Sequence, residues 1–176
     1  VWTDRQTSLP HIYGARVQPN GEVVDKQGML LSSTSGAQAY PDVASDGSGW
    51  QVVWQQQITG SLDVYGVRVS GDGSVSRIYG LATGTGDEDY PSVAWNGSTF
   101  LVVWRDNRTQ GTTGTDIYAC RVGRNGKHVV EGDAAEEHAE LVHDGDGGKI
   151  VAGDEAPHLL LVHVGANRGE NRLDQG

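Results

Sequence analysis

Cysteine, phenylalanine and methionine each occur once in this 176-residue chain, proline five times and lysine three times. A lone Cys120 can form neither an intrachain disulfide nor a cysteine-based zinc site. Its place in a strand-like run reads as a small buried hydrophobe. No stretch approaches the roughly 18 consecutive apolar residues that a membrane-crossing helix requires, so no membrane span is expected. Leucine and alanine are too sparse, and glycine too frequent, for a helical bundle. Basic residues are outnumbered: 13 Lys and Arg against 23 Asp and Glu give a formal charge of −10. Such a surface repels phosphate backbones and anionic membranes, so nucleic acid is not an expected partner. Searches for a phosphate loop, a dinucleotide fingerprint, a serine nucleophile elbow and a His-Glu-x-x-His helix return nothing. No signal peptide is visible, and the chain opens Val1-Trp2-Thr3-Asp4 without an initiator Met. That start reads as a processed product or a piece of a longer chain.

What the chain does have is 26 glycines, six tyrosines and five tryptophans, a mixture that suits short strands joined by tight turns. Those residues recur in order. Tyr40-Pro41-Asp42-Val43-Ala44 returns 50 residues later as Tyr90-Pro91-Ser92-Val93-Ala94, and Gln51-Val52-Val53-Trp54 as Leu101-Val102-Val103-Trp104. Val1-Trp2 fits the end of the same block. Ile12-Tyr13-Gly14-Ala15-Arg16-Val17 comes back as Val64-Tyr65-Gly66-Val67-Arg68-Val69 and as Ile117-Tyr118-Ala119-Cys120-Arg121-Val122. A turn signal follows each: Asn20-Gly21, Asp72-Gly73 and Asn125-Gly126. Self-similarity at a fixed period marks a repeat architecture.

Each repeat reads as four strands. The first carries Pro-x-Val-Ala and ends at Asp46-Gly47 or Asn96-Gly97, both hairpin signals. The second, Trp50 to Trp54 or Phe100 to Trp104, is apolar on both faces and must be covered on both sides. The third puts Tyr65, Val67 and Val69 on one face and Val64, Gly66 and Arg68 on the other; Gly66 implies close approach of a neighbour. A weaker fourth strand falls near Ser76 to Leu81. We divide the single domain, 1–176, into a partial repeat 1–39, repeats 40–89 and 90–137, and a divergent repeat 138–176 opened by His138-Ala139-Glu140-Leu141-Val142. The expected fold is all-β: a β-propeller-like array of four-stranded antiparallel blades, about three and a half to four repeats. A β-sandwich is the alternative. Free edges could be hidden by closing a small ring, by pairing two chains as a homodimer, or within a larger propeller of which this is a fragment.

The blocks Pro41-Asp42-Val43-Ala44, Gln51-Val52-Val53-Trp54 and Val64-Tyr65-Gly66-Val67-Arg68-Val69-x-x-Asp72-Gly73 resemble the tandem repeat of large bacterial and archaeal exported proteins, with its "VVW-x-D-x-R … DIYG-x-R-V" units. The resemblance covers residues 1 to about 130. It implies β-propellers, an extracellular or cell-surface setting and a binding or scaffolding role, and it brings no catalytic set. A weaker likeness links His143-Asp144-Gly145-Asp146-Gly147-Gly148 to the calcium-binding blade motif of integrin-like (FG-GAP or VCBS) propellers. There, Asp144 and Asp146 would be the metal ligands. The motif's first Asp is replaced by Val142, and calcium wants six to eight oxygens. No cofactor is therefore required, and an ordinary Asp-Gly hairpin competes with calcium.

Asp4, Asp106 and Asp154 stand at equivalent places just after the second strand, with Gln56 in the remaining copy. Together with Arg5 and Arg108 they could ring one end of the domain and hydrogen-bond the hydroxyls of a glycan or another extracellular ligand. Equally, each Asp could cap the turn of its own repeat. Trp2, Trp54 and Trp104 read as core. Trp95 departs from the repeat, where its counterpart is Ser45, and becomes the aromatic ligand candidate. The stretches Gln55 to Ser61 and Arg105 to Thr115 vary most between copies, as specificity loops do. His138, His143, His158 and His163 lie five apart in pairs, which on a strand sends them to opposite faces. The expected function is a secreted or surface binding module, carbohydrate its favoured ligand, without a catalytic residue. The alternatives are a polysaccharide-acting hydrolase or lyase using loop-end carboxylates, and a purely structural segment of a larger surface protein.

Overall fold

The computed structural model describes residues 1–6, 8–108, 114–129 and 140–143. They form eleven strands: β1 (Trp2–Asp4), β2 (His11–Gly14), β3 (Met29–Ser32), β4 (Gln38–Ser45), β5 (Gly49–Ile58), β6 (Ser61–Ser70), β7 (Tyr79–Ala82), β8 (Glu88–Trp95), β9 (Phe100–Asp106), β10 (Asp116–Val122) and β11 (Glu140–His143). The strands make three antiparallel sheets, ordered β1-β2-β3, β4-β5-β6-β7 and β8-β9-β10-β11. The protein is all-β among the described residues, and no helix there is long and apolar enough to cross a membrane.

The sequence repeat is a structural repeat down to the register. Trp2 pairs with Tyr13, Trp54 with Tyr65 and Trp104 with Tyr118. In β4 the ladder slips between Ala39 and Asp42, and in β8 between Asp89 and Ser92. Tyr-Pro occupies the slip both times, because proline has no N–H to give a central ladder. The turn after β4 closes with Gly47 at φ 83° and that after β8 with Gly97 at φ 97°, a conformation in which a side chain would crowd the backbone.

Two differences from the sequence reading have local causes. Gln55 to Ile58 is strand, not loop: Thr59-Gly60 turns the chain with both φ positive, 48° and 102°, so pairing continues to Ile58 and Ser61. The fourth strand of the second sheet starts at Tyr79, after Val75 has made an isolated bridge to Val69. Glu140–His143 form β11, paired with β10 at the edge of the third sheet among the described residues.

The second sheet is covered on both faces, as its two-sided apolar pattern requires. Val52, Trp54, Val67 and Val69 pack with Ile12 and Leu31 of the first sheet. Val53, Val64, Leu81 and Ala82 pack with Val93, Phe100, Val102, Trp104, Cys120 and Val122 of the third. Fully burying each large apolar side chain contributes roughly 1.5–3 kcal/mol. A Cβ on Gly66 would sit 2.8 Å from Gln51 Nε2 and 3.1 Å from the Val52 carbonyl oxygen, which is the close approach that residue signalled. Polar bonds also tie the sheets. Asp42 Oδ2 accepts the Ser92 hydroxyl and the Val93 N–H, both at 2.8 Å, and Asp87 Oδ1 accepts the Leu62 N–H at 2.9 Å.

Cys120 lies inside the second interface, and burial raises its thiol pKa to about 12. At pH 8 it is therefore a protonated, shielded group and a poor nucleophile. Folded protein should resist a thiol-modifying reagent, with full labelling only in denaturant. Labelling of the native chain at the denatured rate would contradict this packing.

Candidate functional site

Of the predicted site residues, Asp106 and Arg108 stand at one end of the third sheet and Trp95 at the other, while Asp4 ends β1 of the first sheet and Arg5 follows it. Glu88 and Asp116 both pair with Asp106 across β8, β9 and β10, so the three carboxyls share one face at one end. Trp95 pairs with Phe100 at the other end. They do not form one site.

At the acidic end, Asp106 is sealed from solvent and fully engaged. The Trp104 indole N–H donates to its Oδ2 at 3.1 Å. The Arg108 backbone N–H and Nε both donate to Oδ1 at 2.9 Å, and Nη2 donates to Oδ2 at 2.6 Å. Arg108 also lies 4.4 Å from the centre of the Tyr118 ring. Asp4 makes the same turn contact in the first sheet, where its Oδ1 accepts the Gln6 N–H at 2.8 Å. In the second sheet Gln56 receives the Trp54 indole N–H at 3.4 Å. The repeated position thus caps its own turn, which favours a structural part for Asp4 and Asp106. Arg5 is exposed beside Asp4.

Sequence reading missed the partner of Asp106. Glu88 is 0 % exposed, and among the described residues its carboxyl oxygens have no side-chain hydrogen-bond partner. Its nearest cation is Arg108 Nη2, at 3.9 Å. Burial, then the negative charges of Asp106 and Asp63, push its pKa up to about 7 against the pull of Arg108 and of the Gly84 backbone N–H. The equivalent place in the second sheet is a satisfied neutral network. There Gln38 Nε2 donates to Thr34 Oγ1 at 2.8 Å and to Gln56 Oε1 at 3.3 Å, and Gln38 Oε1 accepts the Ile12 N–H at 3.1 Å. Thr34, Gln38 and Gln56 have become Gly84, Glu88 and Asp106. A substitution of two amides by two acids in a copied network was visible in the sequence; what hid it was not knowing that these positions are buried.

At the opposite end, Trp95 is half-buried. Its ring meets Phe100 at 4.7 Å between centroids, and Arg124 lies 5.0 Å over it. Arg124 in turn pairs with Asp46 at 3.4 Å, and Arg68 pairs with the same Asp46 oxygen at 2.9 Å. Arg105 makes a second exposed arginine–aromatic pair, 4.6 Å over Tyr90, with Nε and Nη2 held on Asp89 at 2.6 and 2.5 Å. An apolar recess of about 250 Å³ between the first and second sheets, lined by Met29, Leu31, Trp50 and Val69, brings few polar groups to orient a ligand. Arg16 on its rim is already tied to Asp25 at 2.8 Å.

Among the described residues no group of three or more His, Cys, Asp or Glu is arranged to hold a metal ion. Asp144, Asp146 and Asp154, with His158 and His163, lie outside the described residues. No family model, curated protein or solved structure matches the chain.

Proposed function

We propose that this chain is a propeller-like repeat segment of an exported or cell-surface protein, and that it binds glycan without transforming it. The repeated register and the two copied sheet-to-sheet interfaces support the propeller reading over a sandwich, since a sandwich does not need its layers to be duplicates. One observation carries the binding assignment: planar guanidinium groups sit exposed against aromatic rings at both ends of the third sheet, Arg105 on Tyr90 and Arg124 on Trp95. Such a pairing offers hydroxyl-directed donors beside an apolar face. The hydrolase alternative gains nothing from Glu88 and Asp106. A glycosidase needs both carboxyls open to the sugar, and here both are sealed.

The test is a glycan array with a parallel assay for released reducing ends. The wild-type chain should bind at least one glycan and release no product, and combined Arg105→Ala and Arg124→Ala should weaken binding at least tenfold. Product release would establish the hydrolase alternative. Silence in both assays from a folded protein would leave a structural segment.

A further inference from the structure

Tyr40 and Tyr90 occupy copied positions and yet are among the most exposed large side chains of the chain, at 53 % and 49 %. Both adopt left-handed backbone, φ 52° and 49°, immediately before proline. A bulky residue in that region is strained, and the residue before a proline normally stays extended. The ladder slip at each Tyr-Pro re-aims the ring away from the sheet-to-sheet layer, as bulges do. A repeat that needed these rings for its core would bury them as it buries Trp54 and Trp104. Instead the two copies meet each other at the surface, with centroids 4.5 Å apart and planes tilted by 50°. Gln55 Oε1 fixes one of them by accepting the Tyr90 N–H at 3.0 Å.

Next to the pair stands Arg105. Asp89 holds its Nε and Nη2, and its Nη1 has no hydrogen bond among the described residues. The guanidinium plane is thereby set in direction with one edge still free to donate. Its charge is already matched by Asp89, and Asp42 lies on the adjoining strand, hydrogen-bonded to Ser92 and Val93. Together with a net charge of −10, this surface disfavours anionic ligands.

We propose that Tyr40 and Tyr90 jointly form the stacking surface of the binding site, taking the C–H face of a neutral pyranose while Arg105 donates to its hydroxyls. The assignment rests on the glycan-binding reading and narrows it in place and in ligand class: uncharged sugars at the junction of the second and third sheets, with uronates and sulfated glycans rejected. A proline-rich peptide would also lie on paired tyrosines. The free guanidinium edge favours the sugar, because such a peptide presents few groups for it to bond.

The experiment uses an array of neutral oligosaccharides, uronate-bearing and sulfated oligosaccharides, and one proline-rich peptide. Calorimetry follows on the strongest neutral hit with wild-type, Tyr40→Ala, Tyr90→Ala, Tyr40→Gly and Leu30→Ala proteins. We expect neutral hits only, a tenfold or greater loss for each tyrosine variant, and less than threefold change for Leu30→Ala, an exposed residue of the first sheet. Tyr40→Gly suits the left-handed backbone, so its melting temperature should not fall, and loss of affinity there cannot be blamed on unfolding. Retained affinity in the tyrosine variants would overturn this site while glycan binding stands. A preference for anionic glycans or for the peptide would overturn the ligand class. Failure of the wild-type chain to bind any glycan would remove the broader reading, and this one with it.

Discussion

Alanine at Trp104 should lower the unfolding free energy by about 3–5 kcal/mol, and alanine at Trp54 by a similar amount, whereas alanine at Trp2 should cost about 1 kcal/mol or less. The three tryptophans are copies of one position, each paired with a tyrosine on the next strand, so residue chemistry and local register are held constant. What differs is the layer each ring meets. Trp54 is 0 % exposed against the first sheet and Trp104 1 % exposed against the second, while Trp2 remains 39 % exposed, stacked on Tyr13 at 6.1 Å. A ring between two sheets leaves a cavity that strands cannot close by collapsing, because their ladders fix the spacing. A ring on an open face leaves water. Against a typical total of about 5–15 kcal/mol, loss of Trp54 or Trp104 could by itself unfold a marginal domain. Urea titration followed by far-ultraviolet circular dichroism measures all three. Equal losses at Trp2 and Trp54 would mean that the first sheet's outer face is as well packed as the interior interfaces.

The same comparison shows what a sequence can and cannot disclose here. Strand order, the two-sided burial of β5 and the packing of Trp54 and Trp104 were legible because each depends on side-chain alternation and on the copying of blocks 50 residues apart. The position of Trp95 was not. It looked like a loop residue because Asn96-Gly97 follows it, yet β8 runs to Trp95 and places the ring on Phe100. Asp106 reads from the sequence either as a loop-end ligand or as the cap of its own turn, and its place at the end of β9 puts it between the Trp104 indole and Arg108. Tyr40 and Tyr90 were read as part of the strand pattern, since Pro-x-Val-Ala continues the alternation. The ladder slip that turns their rings outward depends on how β4 and β5 share hydrogen bonds, which no local period encodes. Burial of a polar side chain is a property of the neighbouring sheet, and the neighbouring sheet is distant in sequence.

That point bears most directly on Glu88. Replacing Glu88 by glutamine should stabilise the chain at pH 8 by about 1–3 kcal/mol, a rise in Tm of roughly 3–8 °C for a domain of this size. In the unfolded chain Glu88 ionises near the ordinary value of 4.5, and in the folded protein near 7. The folded state therefore holds a proton that the unfolded state has released between those values. Stability contributed by the protonated carboxyl is fully present below about pH 4.5 and is lost as the pH rises through 7. Above that, an ionised Glu88 faces Asp106 and Asp63 inside the second interface, with Arg108, 3.9 Å away, and the Gly84 backbone N–H to offset them. Glutamine removes the charge and brings a donor that can reach Asp106, as Gln38 reaches Gln56 in the second sheet. The mutant's advantage should therefore vanish near pH 5 and grow toward pH 8. Asp106→Asn, by contrast, should destabilise at both pH values, because it strips Arg108 of its carboxylate partner inside a buried cluster. Paired urea titrations of wild-type and Glu88→Gln proteins at pH 5 and pH 8 decide the matter. If the difference between them does not change with pH, Glu88 is not the group that gives the second interface its pH dependence.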